Sequence, residues 1–257
     1  MTICPYGYEG RRKRGSFVDH NWGDRRITVR WYGFTVRRYG HQVPRTADHE
    51  ERRRQIAAAV CALIAEHGLD AVTVARTAAT AGISVGLVQH YFRTKDEMLL
   101  HAFAQVTARI RSRVDERVRD GVRHRRPIRR VLAEALAELI PLDETRRAEF
   151  RVARAFAGRA LDVPRLAEID AETGRALRAE IAQAVHNGKE CGEVDPGLDP
   201  WPAAVRLAAV TEGLALQVYR DPEGVRGIPA AELVGSVLAA ELALVFTGEC
   251  RQYADRP

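Results

Sequence analysis

Residues 81–99 read "AGISVGLVQHYFRTKDEML", and the class of the whole chain turns on them. Gly82-Ile83-Ser84-Val85-Gly86 fits G-x-S-x-G, the strand-to-helix turn that presents a hydrolase nucleophile. That turn needs β-branched or large apolar residues ahead of it. Residues 74–81 are instead "VARTAATA", Ala-rich and helical. A serine hydrolase also needs His and acid partners on the strand ends of an α/β sheet, and no sheet is expected here. The same residues read more fully as two short helices, 74–81 and 85–91, joined by a tight turn at Gly82, a helix-turn-helix. Thr73 and Ser84 are good N-caps for them. Ala78 and Ala81 are small where two helices approach, and Ile83 and Leu87 are apolar where the turn and second helix need anchoring. Thr94 with Glu97 forms a capping box, "TKDE", at the start of a further helix.

This arrangement has a chemical consequence. The N-terminus of helix 85–91 is positive and points toward a phosphate or a base edge. Val85, Gly86, Gln89 and His90 are then free to face a major groove. Gln bonds bidentately to adenine, and Val touches a thymine methyl. The competing readings are a solvent-facing Gln89 and a His90 packed under Tyr91. Lys95 is a phosphate ligand or a solvated first-turn lysine. Lysine is rare here, at positions 13, 95 and 189 among 40 basic residues, so its choice carries some information.

Residues 73–99 resemble the DNA-binding domain of the TetR/AcrR repressor family. The matching positions are Thr73, Ala78, Ala81, Gly82, Ile83, Ser84, Gly86, His90, Tyr91, Phe92, Lys95 and Leu99, and "RRRQIAAAVCALIAEHG" is similar to the family's first helix. The resemblance implies backbone phosphate contacts from Thr73, Ser84, Gly86, the Tyr91 hydroxyl and the Lys95 ammonium, with Phe92 in the core. Two positions depart from the pattern. Thr77 stands where Ile or Leu is usual, and Gln89 stands where Tyr is commonest. "GLVQHYF" and "TEGLALQVYRDP" (211–222) are similar to the branch of choline-responsive glycine-betaine regulators, which suggests a C-terminal domain type without establishing the ligand.

Composition narrows the alternatives. Of 257 residues, 46% are hydrophobic and 29% charged, ordinary for a globular chain. No apolar run is long enough to span a membrane, and the N-terminus shows no secretory signal. Cys4, Cys61, Cys191 and Cys250 are far apart in sequence, which suits reduced thiols in a cytoplasm and gives no metal motif. No cofactor is expected. The net charge of +6 is concentrated in residues 1–45, which hold 10 Lys/Arg and 3 Asp/Glu. The remaining chain is close to neutral, so overall basicity is poor evidence for DNA binding. The run 109–130 is Arg-rich but interleaved with Asp115, Glu116 and Asp120, and reads as a solvated helix surface.

Four segments are expected. Residues 1–47 form an N-terminal tail. It is read as loosely attached or disordered, with a basic minor-groove arm and a later true start codon as alternatives; the alternating piece 27–36 lacks an obvious partner strand. Residues 48–100 form the helix-turn-helix domain, with the motif at 73–92. Residues 101–248 form a helical effector-binding and dimerisation domain, and 249–257 a C-terminal tail. Helices are expected at 50–67, 74–81, 85–91, from 94 to about 119 with Gly121 as its end, 127–140, 144–160, 164–188, 199–219 and 229–247. Phe103, Phe150, Phe156 and Trp201 are candidates to line an effector cavity, with ordinary core as the alternative. Leu207, Val210, Leu214 and Val218, with Leu233, Val237, Leu238, Leu242 and Val245, give the last two helices apolar faces that suit a dimer bundle or the chain's own core. In the resembled family these helices form the dimer interface.

The expected protein is therefore all-α, a cytoplasmic homodimer without membrane contact. Its partners are a double-stranded DNA operator and a small-molecule effector of unknown identity, and it acts as a transcriptional regulator, in the first instance a repressor. A helical ligand-binding enzyme and a purely structural helical protein are the other classes. The first lacks convergent acid/base residues, and the second does not explain the base-readable helix 85–91.

Overall fold

The computed structural model describes residues 30–31, 34–35 and 45–251. The chain divides into two bodies, residues 1–52 and 53–257. In the first, Arg30–Trp31 (β1) pairs antiparallel with Phe34–Thr35 (β2), Arg30 opposite Thr35 and Trp31 opposite Phe34. The alternating piece at 27–36 thus finds its partner within itself. The readings of the remaining tail, and of the last residues after Arg251, fall outside the described residues.

Nine α-helices follow among the described residues: α1 Arg45–His67, α2 Val74–Ala81, α3 Val85–Tyr91, α4 Lys95–Arg123, α5 Ile128–Ala137, α6 Glu144–Ala160, α7 Pro164–Cys191, α8 Pro200–Arg220 and α9 Ala230–Ala243. Leu69–Ala71 form a 3-10 turn between α1 and α2. Most boundaries follow from capping chemistry. The side chains of Thr73, Ser84, Thr94, Asp143 and Asp199 accept backbone N–H bonds at the starts of α2, α3, α4, α6 and α8.

Two expected helix ends are corrected. Gly121 does not end α4, which runs on to Arg123. A Cβ at Gly121 would lie 2.3 Å from Cγ2 of Val131, so this glycine admits α5 against α4. Gly188 likewise lies inside α7, where a Cβ would meet Val194 at 2.6 Å and Phe246 at 2.9 Å. The left-handed residue that ends α7 is Gly192, φ 91°.

Two apolar cores form. The first joins Ile56, Val60 and Ile64 of α1, Val88 of α3, and Met98, Leu99 and Phe103 of α4. It also takes in Val152, Phe156 and Ala160 of α6 and Leu166 of α7. The second is built from α5, α7, α8 and α9 around Leu136, Ile140, Val185 and Leu207.

The second core divides the candidate dimer residues. Leu207, Val218, Leu238, Leu242 and Val245 are buried inside the single chain. Val210, Leu214, Leu233 and Val237 are half-buried, and Leu214 packs on the same core. Periodicity identified a buried face correctly, but α5 and α7 of the same chain cover it. Among the exposed residues of α8 and α9, Val205, Ala209, Gly213, Gly235, Ala239, Ala240 and the following Leu244 are small or apolar, beside the polar Arg206, Glu212, Gln217, Glu232 and Ser236.

Candidate nucleic-acid interface

α3 divides cleanly into two faces. Val88, with Phe92 just after the helix, is buried in the first core, while Ser84, Val85, Gly86, Gln89 and His90 are exposed. Thr73 is exposed, and Tyr91 and Lys95 are half-buried. The His90 and Tyr91 rings meet edge-on with centroids 5.3 Å apart. The eight residues singled out from sequence therefore lie on or beside one motif, in and around α2, α3 and the first turn of α4.

Its local chemistry follows from the caps. Ser84 Oγ accepts the Leu87 N–H at 3.2 Å, and Thr73 Oγ1 accepts the Arg76 N–H at 3.3 Å. Each hydroxyl keeps its own O–H to donate outward. Gly82 ends α2 with φ 66°, and its N–H closes on the carbonyls of Ala78 and Ala79. A side chain there is strained whatever space surrounds it. Thr94 Oγ1 accepts the Glu97 N–H at 3.1 Å, and Glu97 reaches back to the Arg93 N–H at 2.8 Å. The capping box thus closes one residue earlier than its usual form.

Sequence reasoning missed the clamp supplied by α1. Gln55 Nε2 donates to the Ala81 carbonyl at 2.7 Å, holding the end of α2. Arg53 donates to the Tyr91 carbonyl at 3.4 Å and lies 5.0 Å from the centre of the Phe92 ring, holding the end of α3. Both are polar residues in a charged stretch of α1, and their roles emerge only from the fold. A second missed signal is visible in the sequence itself. Between Asp70 and Asp96 there is no acidic residue, while Arg76, Arg93 and Lys95 are basic. The chain beyond residue 45 is near neutral, so this acid-free stretch is a local feature. Lys95 makes no ion pair among the described residues.

The effector candidates do not converge. Phe103 and Phe156 stack face to face with centroids 3.9 Å apart in the first core. Phe150 packs 5.0 Å from the Tyr219 ring, beside the second core. Trp201 lies at the start of α8 with 54% of its surface exposed. The four aromatics are thus spread over two cores and the surface.

Most arginines of the run 109–130 are exposed, but three of them are tied to buried acids. Arg113 forks onto Glu149, at 2.6 and 3.3 Å, and reaches Glu138 at 3.1 Å. Arg117 binds Glu138 at 2.8 Å, and Arg109 binds Glu149 at 3.2 Å. Both carboxylates are buried. The hydrogen bonds that Arg113 donates to Glu149 hold its guanidinium above its usual range. One face of α4 therefore carries a charge network anchored on two buried carboxylates, with Arg109 and Arg117 themselves exposed. A polar cleft of about 390 Å³ lies beside it, lined by Arg113, Arg117, Glu138, Asp143 and Arg146.

α6 binds this network to the reading motif. Arg147, near its start, donates to the Tyr219 carbonyl of α8 at 3.2 Å. Further along, Arg151 donates to the Ala65 carbonyl of α1, and Arg159 pairs with Asp96 of α4.

Comparison with known proteins decides what this motif belongs to. Residues 56–102 match the family described as bacterial regulatory proteins, tetR family, and residues 127–243 the BetI-type transcriptional repressor, C-terminal family. The HTH-type transcriptional regulator PksA of Bacillus subtilis (strain 168) is 31% identical over 181 residues, 70% of this chain and 84% of that protein. The chain belongs to the TetR family. A transcriptional regulator from Rhodococcus sp. Rha1 has the same fold, with TM-score 0.64 and 31% identity over 76% of this chain and 96% of its own. A transcriptional regulator from Saccharomonospora viridis, solved in complex with choline, shares the fold at 23% identity and TM-score 0.62, over 74% and 95% of the two chains.

A TetR-family chain is a DNA-binding transcriptional regulator and not an enzyme. Residues 82–84 are accordingly the turn of its helix-turn-helix, with Ser84 capping α3 and Val85 and Gly86 in its first turn. The C-terminal helices are of the BetI type, and no described helix is long and apolar enough to cross a membrane.

Proposed function

We propose that the protein is a cytoplasmic homodimeric repressor released from a palindromic operator by a small molecule. Residues 48–100 form its DNA-binding domain and 101–248 its effector and dimerisation domain. Val85, Gly86, Gln89 and His90 meet base edges, while Thr73, Ser84, Tyr91 and Lys95 hold phosphates. The supporting observation is the exposed outer face of α3, capped at its positive end and set in an acid-free stretch. Two-fold symmetry then places the half-sites about 34 Å apart, one turn of DNA.

The small and apolar exposed residues of α8 and α9 form the partner face. Gly213 and Gly235 have open space around their missing Cβ positions, so two such faces approach closely. Release requires a ligand that binds the non-DNA-binding conformer better. α6 provides the connection, because it touches α8 at one end and both α1 and α4 at the other. The BetI-type C-terminal match makes quaternary amines the first compounds to screen.

Selection of genomic fragments by the purified protein tests this reading. Enrichment of one palindromic sequence, followed by its release on ligand addition, is the expected result. Random fragments, recovered in proportion to length, would contradict sequence-specific repression.

A further inference from the structure

Two cysteines that are distant in sequence meet beside a buried carboxylate. Sγ of Cys191, Sγ of Cys250 and a carboxylate oxygen of Glu193 all lie within 4.8 Å of one another. Cys191 and Glu193 are buried, and Cys250 is half-buried. The backbone builds this meeting. The Gly248 N–H donates to the Glu193 carbonyl at 3.0 Å, and the Arg251 N–H to the Cys191 carbonyl at 2.8 Å. A Cβ at Gly248 would stand 2.3 Å from the Gly192 carbonyl oxygen, so only glycine lets the C-terminal segment lie this close.

Glu193 is held in place before any ligand arrives. Its Oε1 accepts the Ile128 N–H at 2.7 Å, and its Oε2 accepts the Arg129 N–H at 3.0 Å, capping α5. Oε1 also accepts the Cys191 thiol at 3.3 Å. An open cavity of about 290 Å³ is lined by the chain neighbours of Cys191, Glu193 and Cys250, among them Gly192, Val194 and Arg251, and carries Lys189 and Arg251 against Glu190 and Asp195.

We infer that Cys191, Cys250 and Glu193 bind one thiophilic divalent cation of the zinc class, with a water reaching it on the half-buried Cys250 side as fourth ligand. Two sulfurs and one oxygen suit zinc and exclude calcium or magnesium. Each thiol gives up its proton to solvent as its sulfur binds the ion. The lone pair of Oε1 that now accepts the Cys191 S–H is thereby freed for the metal. Burial pushes the Cys191 thiol up to about 12. The site also joins the ends of α7 and the described chain to the start of α5. It does not depend on the DNA-binding reading.

The test is a Co²⁺ titration of the full chain, reduced with a phosphine and stripped with a chelator. A thiolate-to-cobalt charge-transfer band saturating at one ion per chain, and displaced by Zn²⁺, is expected. Cys191→Ser and Cys250→Ser should each abolish it, Cys61→Ser should keep it, and Glu193→Gln should weaken binding at least about tenfold. Circular dichroism checks that each variant folds; Cys250, half-buried near the chain end, decides if Cys191→Ser does not. No saturable band, an unchanged band in Cys250→Ser, unchanged affinity in Glu193→Gln, or a Cys191–Cys250 disulfide surviving the phosphine each overturns the assignment.

Discussion

Arg159 grips Asp96 with two parallel hydrogen bonds, 2.9 and 3.2 Å, across 63 positions of sequence. The pair joins the last turn of α6 to the first turn of α4, one residue from Lys95. It is partly exposed, so it adds little to stability. Its position suits coupling instead. Arg159→Ala should leave the thermal midpoint nearly unchanged while shifting operator affinity, or its response to ligand, by roughly two- to thirtyfold. Equal affinity and response in the variant, by fluorescence anisotropy, would remove α6 from the coupling route.

Glu149 is the opposite case. It is 3% exposed and receives Arg109 and both ends of the Arg113 fork. Glu149→Ala leaves guanidinium groups without their buried partner and should cost about 3–5 kcal/mol. Urea unfolding measures this. A loss below about 1 kcal/mol would mean that water replaces the carboxylate freely.

Thr77 is fully buried in α2, and its Oγ1 has no hydrogen-bond partner. An unpaired buried hydroxyl costs about 1–3 kcal/mol. Thr77→Val keeps the shape and removes the hydroxyl, so it should stabilise the chain by about 1 kcal/mol without changing DNA affinity. Destabilisation on thermal melting would show that the hydroxyl is satisfied after all.

The two faces of α9 separate fold from assembly. Leu242→Ala, at a fully buried site, should cost about 2–5 kcal/mol. Ala239→Arg, on the outward face, should leave the fold intact and give a monomer by light scattering. A dimeric Ala239→Arg protein would move the partner surface away from this face.

The legible parts of the chain are those fixed by local chemistry. α2, α3 and α6 match their expected bounds because Thr73, Ser84 and Asp143 cap them and glycine or a short turn ends them. Gly121 and Gly188 misled because their neighbours, Val131, Val194 and Phe246, arrive from other helices. The leucines of α8 and α9 announced a buried face but not what buries it. Phe103 and Phe156 looked like pocket lining and proved to be each other's packing partners. The buried partners of Arg113 and Arg117 were not legible because Glu138 and Glu149 lie far along the sequence. The exposed residues of α3 were plain, while Gln55 and Arg53, which hold the ends of α2 and α3, carried no local signal.

The most direct test of the account is anisotropy of the selected operator and of a scrambled duplex over a series of salt concentrations, for wild type and Lys95→Ala. The wild-type protein should form a discrete operator complex that scrambled DNA does not compete away. Lys95→Ala should weaken binding to both duplexes and flatten the salt dependence by about one phosphate contact per subunit. A folded dimer with no operator preference, or an unchanged slope in the variant, would contradict it.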